Sequence, residues 1–124
     1  MLSHLSLGVR DLAAAGRFYD AVLAPLGVVR VWDTPRGIGY GFPGQGDKLA
    51  LFPHPTSEPL AAGPGFHLAF AAPTPAAVDA FHAAAIAGGG SDEGLPGLRP
   101  HYGATYYAAF VRDPDGHKLE CVHQ

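Results

Sequence analysis

Apolar and polar residues alternate along Leu2 to Val9. Leu5, Leu7 and Val9 fall on one side and His4, Ser6 and Gly8 on the other, which is the period-two signature of a half-buried strand. After this the period lengthens. Leu12, Ala15, Phe18, Tyr19, Val22 and Leu26 recur at helical spacing, so Asp11 is read as the cap of a helix reaching about Leu26 and Gly27 as its stop. Three short strands are expected next, Val28 to Trp32, Gly37 to Phe42 and Lys48 to Phe52. They are separated by Thr34-Pro35-Arg36-Gly37 and Pro43-Gly44-Gln45-Gly46. The segment His54 to Pro64, punctuated by Pro55, Pro59 and Pro64, reads as a linker.

The pattern then repeats. His67, Phe81 and Gly90 follow His4, Phe18 and Gly27 at a constant offset of 63 (67 − 4, 81 − 18, 90 − 27). Phe66, Leu68 and Phe70 take one strand face and His67 and Ala69 the other. A helix from Thr74 or Pro75 to Ala87 is expected, with Pro75 suited to the first turn and Gly88-Gly89-Gly90 ending it. Ser91 to Gly103, rich in glycine and proline, reads as a loop with little reason to form a ladder. A hairpin closes the chain, Thr105 to Val111 and His117 to Val122 about Asp113-Pro114-Asp115-Gly116, whose sequence suits a type I turn with a glycine bulge. The 124 residues are thus read as one domain of two tandem βαβββ modules, about 1–53 and 65–124, joined by the linker 54–64. This is an α+β architecture, a curved mixed sheet forming a cup with helices on its outer face.

That facing decides which residues meet. Apolar strand faces must cover the helices, so the faces bearing His4 and His67 line the concave side. A bulged turn at Asp113–Gly116 pairs Asp113 with His117 and sets Phe110 opposite Glu120. Glu120, Lys118, Phe110, Ala108 and Tyr106 then share the cup. The later offset of 70 (118 − 48), which aligns Lys118-Leu119-Glu120 with Lys48-Leu49-Ala50, assigns Ala50, Lys48, Phe52 and Tyr40 to the same side. Two imidazoles and one carboxylate from separate strands, His4, His67 and Glu120, make a facial set for a divalent metal with positions left open for substrate. Such ligands suit Fe, Mn, Ni, Co or Zn.

Charge and composition narrow the partners. The formal net charge is −3 and no basic cluster appears, which disfavours nucleic acid and anionic membrane. No apolar run approaches membrane-span length and Met1 leads straight into a strand, so a cytoplasmic protein without a signal peptide is expected. Cys121 is the sole cysteine, which excludes an internal disulfide. As the neighbour of Glu120 it falls on the opposite sheet face as a buried thiol.

The opening His4-Leu5-Ser6-Leu7 with Asp11 and Phe18-Tyr19, the middle Gly65-Phe66-His67-Leu68-Ala69-Phe70, and the closing Asp113-Pro114-Asp115-Gly116-His117-Lys118-Leu119-Glu120 resemble the vicinal oxygen chelate superfamily. That group includes glyoxalase I, bleomycin resistance proteins, fosfomycin-modifying transferases and extradiol dioxygenases. The resemblance spans nearly the whole chain. It implies a metal held by two histidines and a glutamate, a small-molecule substrate, and a homodimer, since relatives often dimerise and some share ligands between subunits. Ala50 stands where bacterial glyoxalase I has a fourth, glutamate ligand. Phe110 stands where extradiol dioxygenases have a tyrosine.

The resulting expectation is a small metal-dependent enzyme that chelates an oxygenated substrate and stabilises an oxyanion or enolate, as a lyase, isomerase, transferase or dioxygenase. His101, Tyr102 and Tyr106 are its candidate acid–base groups, and Arg99, Tyr40, Phe52, Phe110 and Trp32 its candidate substrate contacts. The alternative is a bleomycin-resistance-like protein that sequesters a planar or cationic drug between Trp32, Tyr40, Phe52 and Tyr106. Of the other histidines, His82 is expected at the surface or edge of the second helix, and Lys48 and Lys118 are read as matching strand positions.

Overall fold

The computed structural model describes all residues 1–124. Strand β1 (Leu5–Val9) leads into helix α1 (Leu12–Leu23). Asp11 caps the helix, its carboxylate accepting from the Ala14 N–H at 3.0 Å. Pro25 has no N–H to continue the α ladder, so a single 3₁₀ turn, Ala24–Leu26, follows, and Gly27 ends it at φ 77°. Strands β2 (Val29–Thr34), β3 (Gly37–Gly41) and β4 (Leu49–Pro53) complete the first module. The second repeats the plan: β5 (Leu68–Ala71), α2 (Pro75–Ala87) capped by Thr74, then β6 (Ser91–Leu98), β7 (Tyr107–Arg112) and β8 (Lys118–His123).

Each module forms its own four-stranded mixed sheet, in the orders β1-β4-β3-β2 and β5-β8-β7-β6. In both, the first strand runs parallel to the last, and neither sheet closes into a barrel. The helices lie on the apolar sheet faces and pack on one another. One continuous core therefore runs from Leu7 and Val9 through Phe18, Tyr19, Val22, Val78 and Phe81 to Val111, Leu119 and Cys121. Burial first, and then the neighbouring Glu120, push the Cys121 thiol up to about 12, so it behaves as an inert apolar group.

The Asp113–Gly116 turn joins the modules. Asp113 Oδ1 accepts from the His117 N–H at 2.8 Å and the Asp115 N–H at 3.0 Å, while Tyr19 on α1 donates its hydroxyl to Oδ2 at 2.6 Å. His117 Nε2 lies 2.7 Å from the Gly8 carbonyl oxygen of β1. Gly116 sits at φ 94°, and the Asp113 N–H bonds the His117 carbonyl, as a bulged turn requires.

Three local features differ from the sequence reading. Ser91–Leu98 is an edge strand rather than a loop. It pairs with β7 through two register shifts, and these irregularities accommodate Gly94, Pro96 and Gly97 at a position where only one side needs bonds. Tyr40 is buried under α1, its hydroxyl 3.1 Å from the Gly16 carbonyl and 2.9 Å from Asp20. The repeat offset equates Tyr40 with Phe110, but Ala50 pairs with Gly39 whereas Glu120 pairs with Phe110. That one-residue difference in register turns Tyr40 to the opposite face. His82 is also buried, with Nε2 2.9 Å from Asp92 of β6.

Replacing Tyr19 with Phe removes a donor from a buried carboxylate and is expected to lower unfolding free energy by about 1–3 kcal/mol, read from denaturant titration. Burial, the largest influence on Asp113, holds its carboxyl above the ordinary range against the lowering effect of Tyr19 and His117. The folded chain therefore binds this proton more tightly than the unfolded chain. The associated stability is complete below the ordinary carboxylate value and is lost as pH rises through the raised one. Stability of the native protein relative to Asp113→Asn should accordingly increase as pH falls from neutral towards about 4.

Candidate functional site

An open chamber of about 910 Å³ lies on the second sheet, on the face turned away from α2. Strand alternation constructs it. Leu119 and Cys121 point into the core, so Lys118 and Glu120 point outward, and Phe110, the cross-strand partner of Glu120, joins them. His67 enters from the residue before β5, and Ala62 to Phe66, spanning the end of the linker and the start of the second module, close one side.

At its floor His67 Nε2 lies 2.9 Å from Glu120 Oε1, and Tyr106 donates its hydroxyl to Glu120 Oε2 at 2.5 Å. Glu120 is 2 % exposed, whereas the His67 side chain remains open to the chamber. Desolvation, followed by the hydrogen bond to Glu120, pushes Tyr106 up to about 12, so it stays a neutral donor through the physiological range. Phe110 meets the His67 ring edge-on at 5.8 Å. The turn after β6 sets the His101 ring against Tyr102 at 4.2 Å and Tyr102 against Tyr106 at 5.2 Å, both pairs tilted, so a row of rings runs from the mouth to the floor.

Of the residues singled out from sequence, His67, Arg99, His101, Tyr102, Tyr106, Phe110 and Glu120 therefore come together. Trp32 and Phe52 do not join them. They meet each other at 6.1 Å on the first sheet, where the indole lies across Gly39. Ala50 is beside them, paired with Ser6 and Gly39 and outside the helix-covered core, so it shares the face of His4. His4 is exposed, with Nδ1 3.0 Å from Ser3 Oγ. Within one chain the three candidate ligands do not converge, and no group of three His, Cys, Asp or Glu side chains is placed to hold a metal. Lys118, Arg112 and Glu93 also line the chamber. The alternation that placed Lys118 beside Glu120 was the available sequence signal. Glu93 meets Arg112 only because Ser91–Leu98 is a strand paired with β7, which no local sequence signal announces.

The donors present fit a borderline divalent cation in part. An imidazole nitrogen and a carboxylate oxygen are adjacent, and the carboxylate is buried with a phenol and an imidazole but no lysine or arginine as partners. Burial of a carboxylate in such a setting is costly without a cation or good hydrogen bonds.

Residues 1–121 match the family model described as the Glyoxalase/Bleomycin resistance protein/Dioxygenase superfamily, and the chain belongs to that superfamily. Among solved structures it is similar to a glyoxalase/bleomycin resistance protein from Albidiferax ferrireducens T118. The identity is 38 %, the TM-score is 0.86, and the match covers 100 % of this chain and 99 % of the other. A glyoxalase-related enzyme from Fulvimarina pelagi (24 % identity, TM-score 0.75, coverage 100 % and 88 %) shares the fold. So does the fosfomycin resistance protein FosX from Mesorhizobium loti (22 %, 0.71, 100 % and 92 %). No curated protein matches the chain significantly. No helix is long and apolar enough to cross a membrane.

The packing of Trp32 offers a direct check of the first sheet. A Cβ at Gly39 would fall inside the indole, so Gly39→Ala should force Trp32 outward. As Trp32 is the only tryptophan, the displacement should appear as a red shift of the intrinsic emission while the circular dichroism spectrum is unchanged.

Proposed function

We propose that the protein is a metal-dependent enzyme acting on a small oxygenated substrate, with each site completed between two copies of the chain. The observation that carries this reading is the His67–Glu120 pair at 2.9 Å, set on the wall of an open chamber. Two ligands come from the second module, and the third, His4, waits on the corresponding face of the first. The two faces belong to separate sheets. A second copy that lays its first module against this second module would bring its own His4 to the pair. A two-fold arrangement would do so twice, because both chains offer the same complementary surfaces. Trp32 and Phe52 would then form the opposite wall of the chamber.

His4, His67 and Glu120 would hold the metal, which when bound supplies Lewis-acid stabilisation of negative charge on substrate oxygens. The chain's own groups do the rest. Tyr106 keeps its proton and steadies Glu120 through a hydrogen bond. His101 and Tyr102 stand at the mouth, where an imidazole and a phenol can pass a proton to or from the substrate. Phe110 gives an apolar wall that excludes water from the His67 edge. These parts serve isomerisation, lyase-type addition, group transfer or dioxygenation, the chemistries of an enzyme that stabilises an enolate or other oxyanion.

Metal analysis of the untagged protein tests the reading together with subunit complementation. His4→Ala and His67→Ala should each lose bound metal. Co-refolding the two variants should restore roughly a quarter of the wild-type content per chain, since half the dimers are mixed and each mixed dimer has one intact site. Variants that remain dimeric yet never recover metal would remove the shared site. A metal-free wild-type protein that cannot be loaded would favour the sequestering alternative, in which Trp32 and Phe52 do the binding.

A further inference from the structure

We infer that the chamber selects substrates bearing an oxyanion group, a carboxylate or phosphonate, and that Lys118 and Arg99 are the residues that bind it across the ring of Phe110. This deepens the enzymatic reading above and rests on it for the word substrate, although the anion site itself does not require the metal. Lys118 Nζ lies 5.7 Å and Arg99 Cζ 5.8 Å from the centroid of the same ring. The ion pairs of the chain engage Arg10, Arg30, Arg112, His67 and His82, and Lys118 takes part in none.

Arg99 is seated rather than free. Its Nη1 donates to the Gly97 carbonyl at 2.9 Å and its Nη2 to the Leu95 carbonyl at 2.8 Å. The strand is shaped to receive it, because a Cβ at Gly94 would come within 3.3 Å of Nη2 and one at Gly97 within 3.3 Å of Nη1. The guanidinium is thus fixed back along β6 with its remaining N–H groups unmatched, and a ligand need not bear the cost of ordering it. Gly94 and Gly97, which interrupt the register of β6, have their reason here.

The balance of charge points the same way. The chain carries a net charge of −3, yet Arg99, Arg112 and Lys118, three of its eight lysines and arginines, line this one chamber. Arg112 is matched by Glu93, and the Glu120 oxygens are occupied by His67 and Tyr106. Three cationic side chains thus face two carboxylates in the chamber, and Lys118 and Arg99 stand over an aromatic floor without an ion-pair partner. Lys118 and Glu120 are two residues apart on one face of β8, a backbone separation of about 7 Å. The anion and the oxygens handled at Glu120 therefore belong to one small acid with only a few bonds between them, its hydrocarbon lying on Phe110.

The test is an NMR titration of the full chain as purified, with metal content measured on the same sample, so that an absent metal and an absent anion site are separate results. Acetate and methylphosphonate are the probes, and sodium chloride at equal ionic strength is the control. The ε-methylene signals of Lys118, one of only two lysines, and the ring signals of Phe110 should shift saturably, with a dissociation constant on the order of millimolar. Lys118→Met and Arg99→Met should each weaken binding by about tenfold, and Lys118→Arg should keep it within about threefold. A stronger response to acetate assigns a carboxylate, and a stronger response to methylphosphonate assigns a phosphonate. Equal shifts with chloride, or Lys118→Met and Arg99→Met chains that are folded by their amide spectra and titrate like the native protein, would overturn the inference.

Discussion

Asp113 is the point on which the arrangement turns. One buried carboxylate accepts the His117 and Asp115 N–H groups and the Tyr19 hydroxyl, so it closes the last hairpin and fastens that hairpin to the helix of the other module. The closure sets the register of β7 against β8, and the register places Phe110 opposite Glu120. Because side chains alternate along a strand, the same register sends Leu119 and Cys121 inward and Lys118 and Glu120 outward. A carboxyl that is held above its ordinary range by burial, and so is costly to keep ionised, therefore sits where it fixes both the core and the chamber.

The chamber is built from the outward residues of the second sheet and the turn beside it. Glu120 is buried at the floor with its oxygens occupied, and the row of Tyr106, Tyr102 and His101 rises from it to solvent. The neighbouring edge strand has given up regular pairing to seat an arginine, and glycines at its irregular points supply the space. On the first sheet Gly39 does a similar service for Trp32, and Gly37 for Phe52. In both modules the outward sheet face is free of helix contacts, and on the second it lines the chamber. The inward face carries the one core that spans both modules.

A repeated sequence need not produce repeated faces. The modules share strand order, helix caps and the parallel pairing of first and last strands, yet they differ by one residue in the hairpin that leads to the last strand. In the second module that hairpin exposes Phe110 to the chamber. In the first it buries Tyr40 against α1, where burial and Asp20 raise the phenol's pKa and its hydroxyl serves structure. The surface left on the first sheet is accordingly small and aromatic, with Ala50, Trp32 and Phe52, while that on the second is polar and cationic.

The amino-acid sequence by itself determined every element but β6, and the repeat, because periodicity, caps and turn residues act over a few positions. Asp11, Thr74, Gly27 and the Asp113–Gly116 turn were legible for that reason. So was the pairing of Phe110 with Glu120, since a tight turn propagates its register along a hairpin. Most of the chamber was legible too, from His67 and Glu120 to Arg99, His101 and Tyr106. Tertiary structure decided what depends on long-range register and packing. It buried Tyr40 and His82, made β6 a strand despite its glycines and proline, and brought Lys118 and Arg99 to one ring. It also separated His4 from His67, because the two modules pack through their helices and leave their open faces on different sheets.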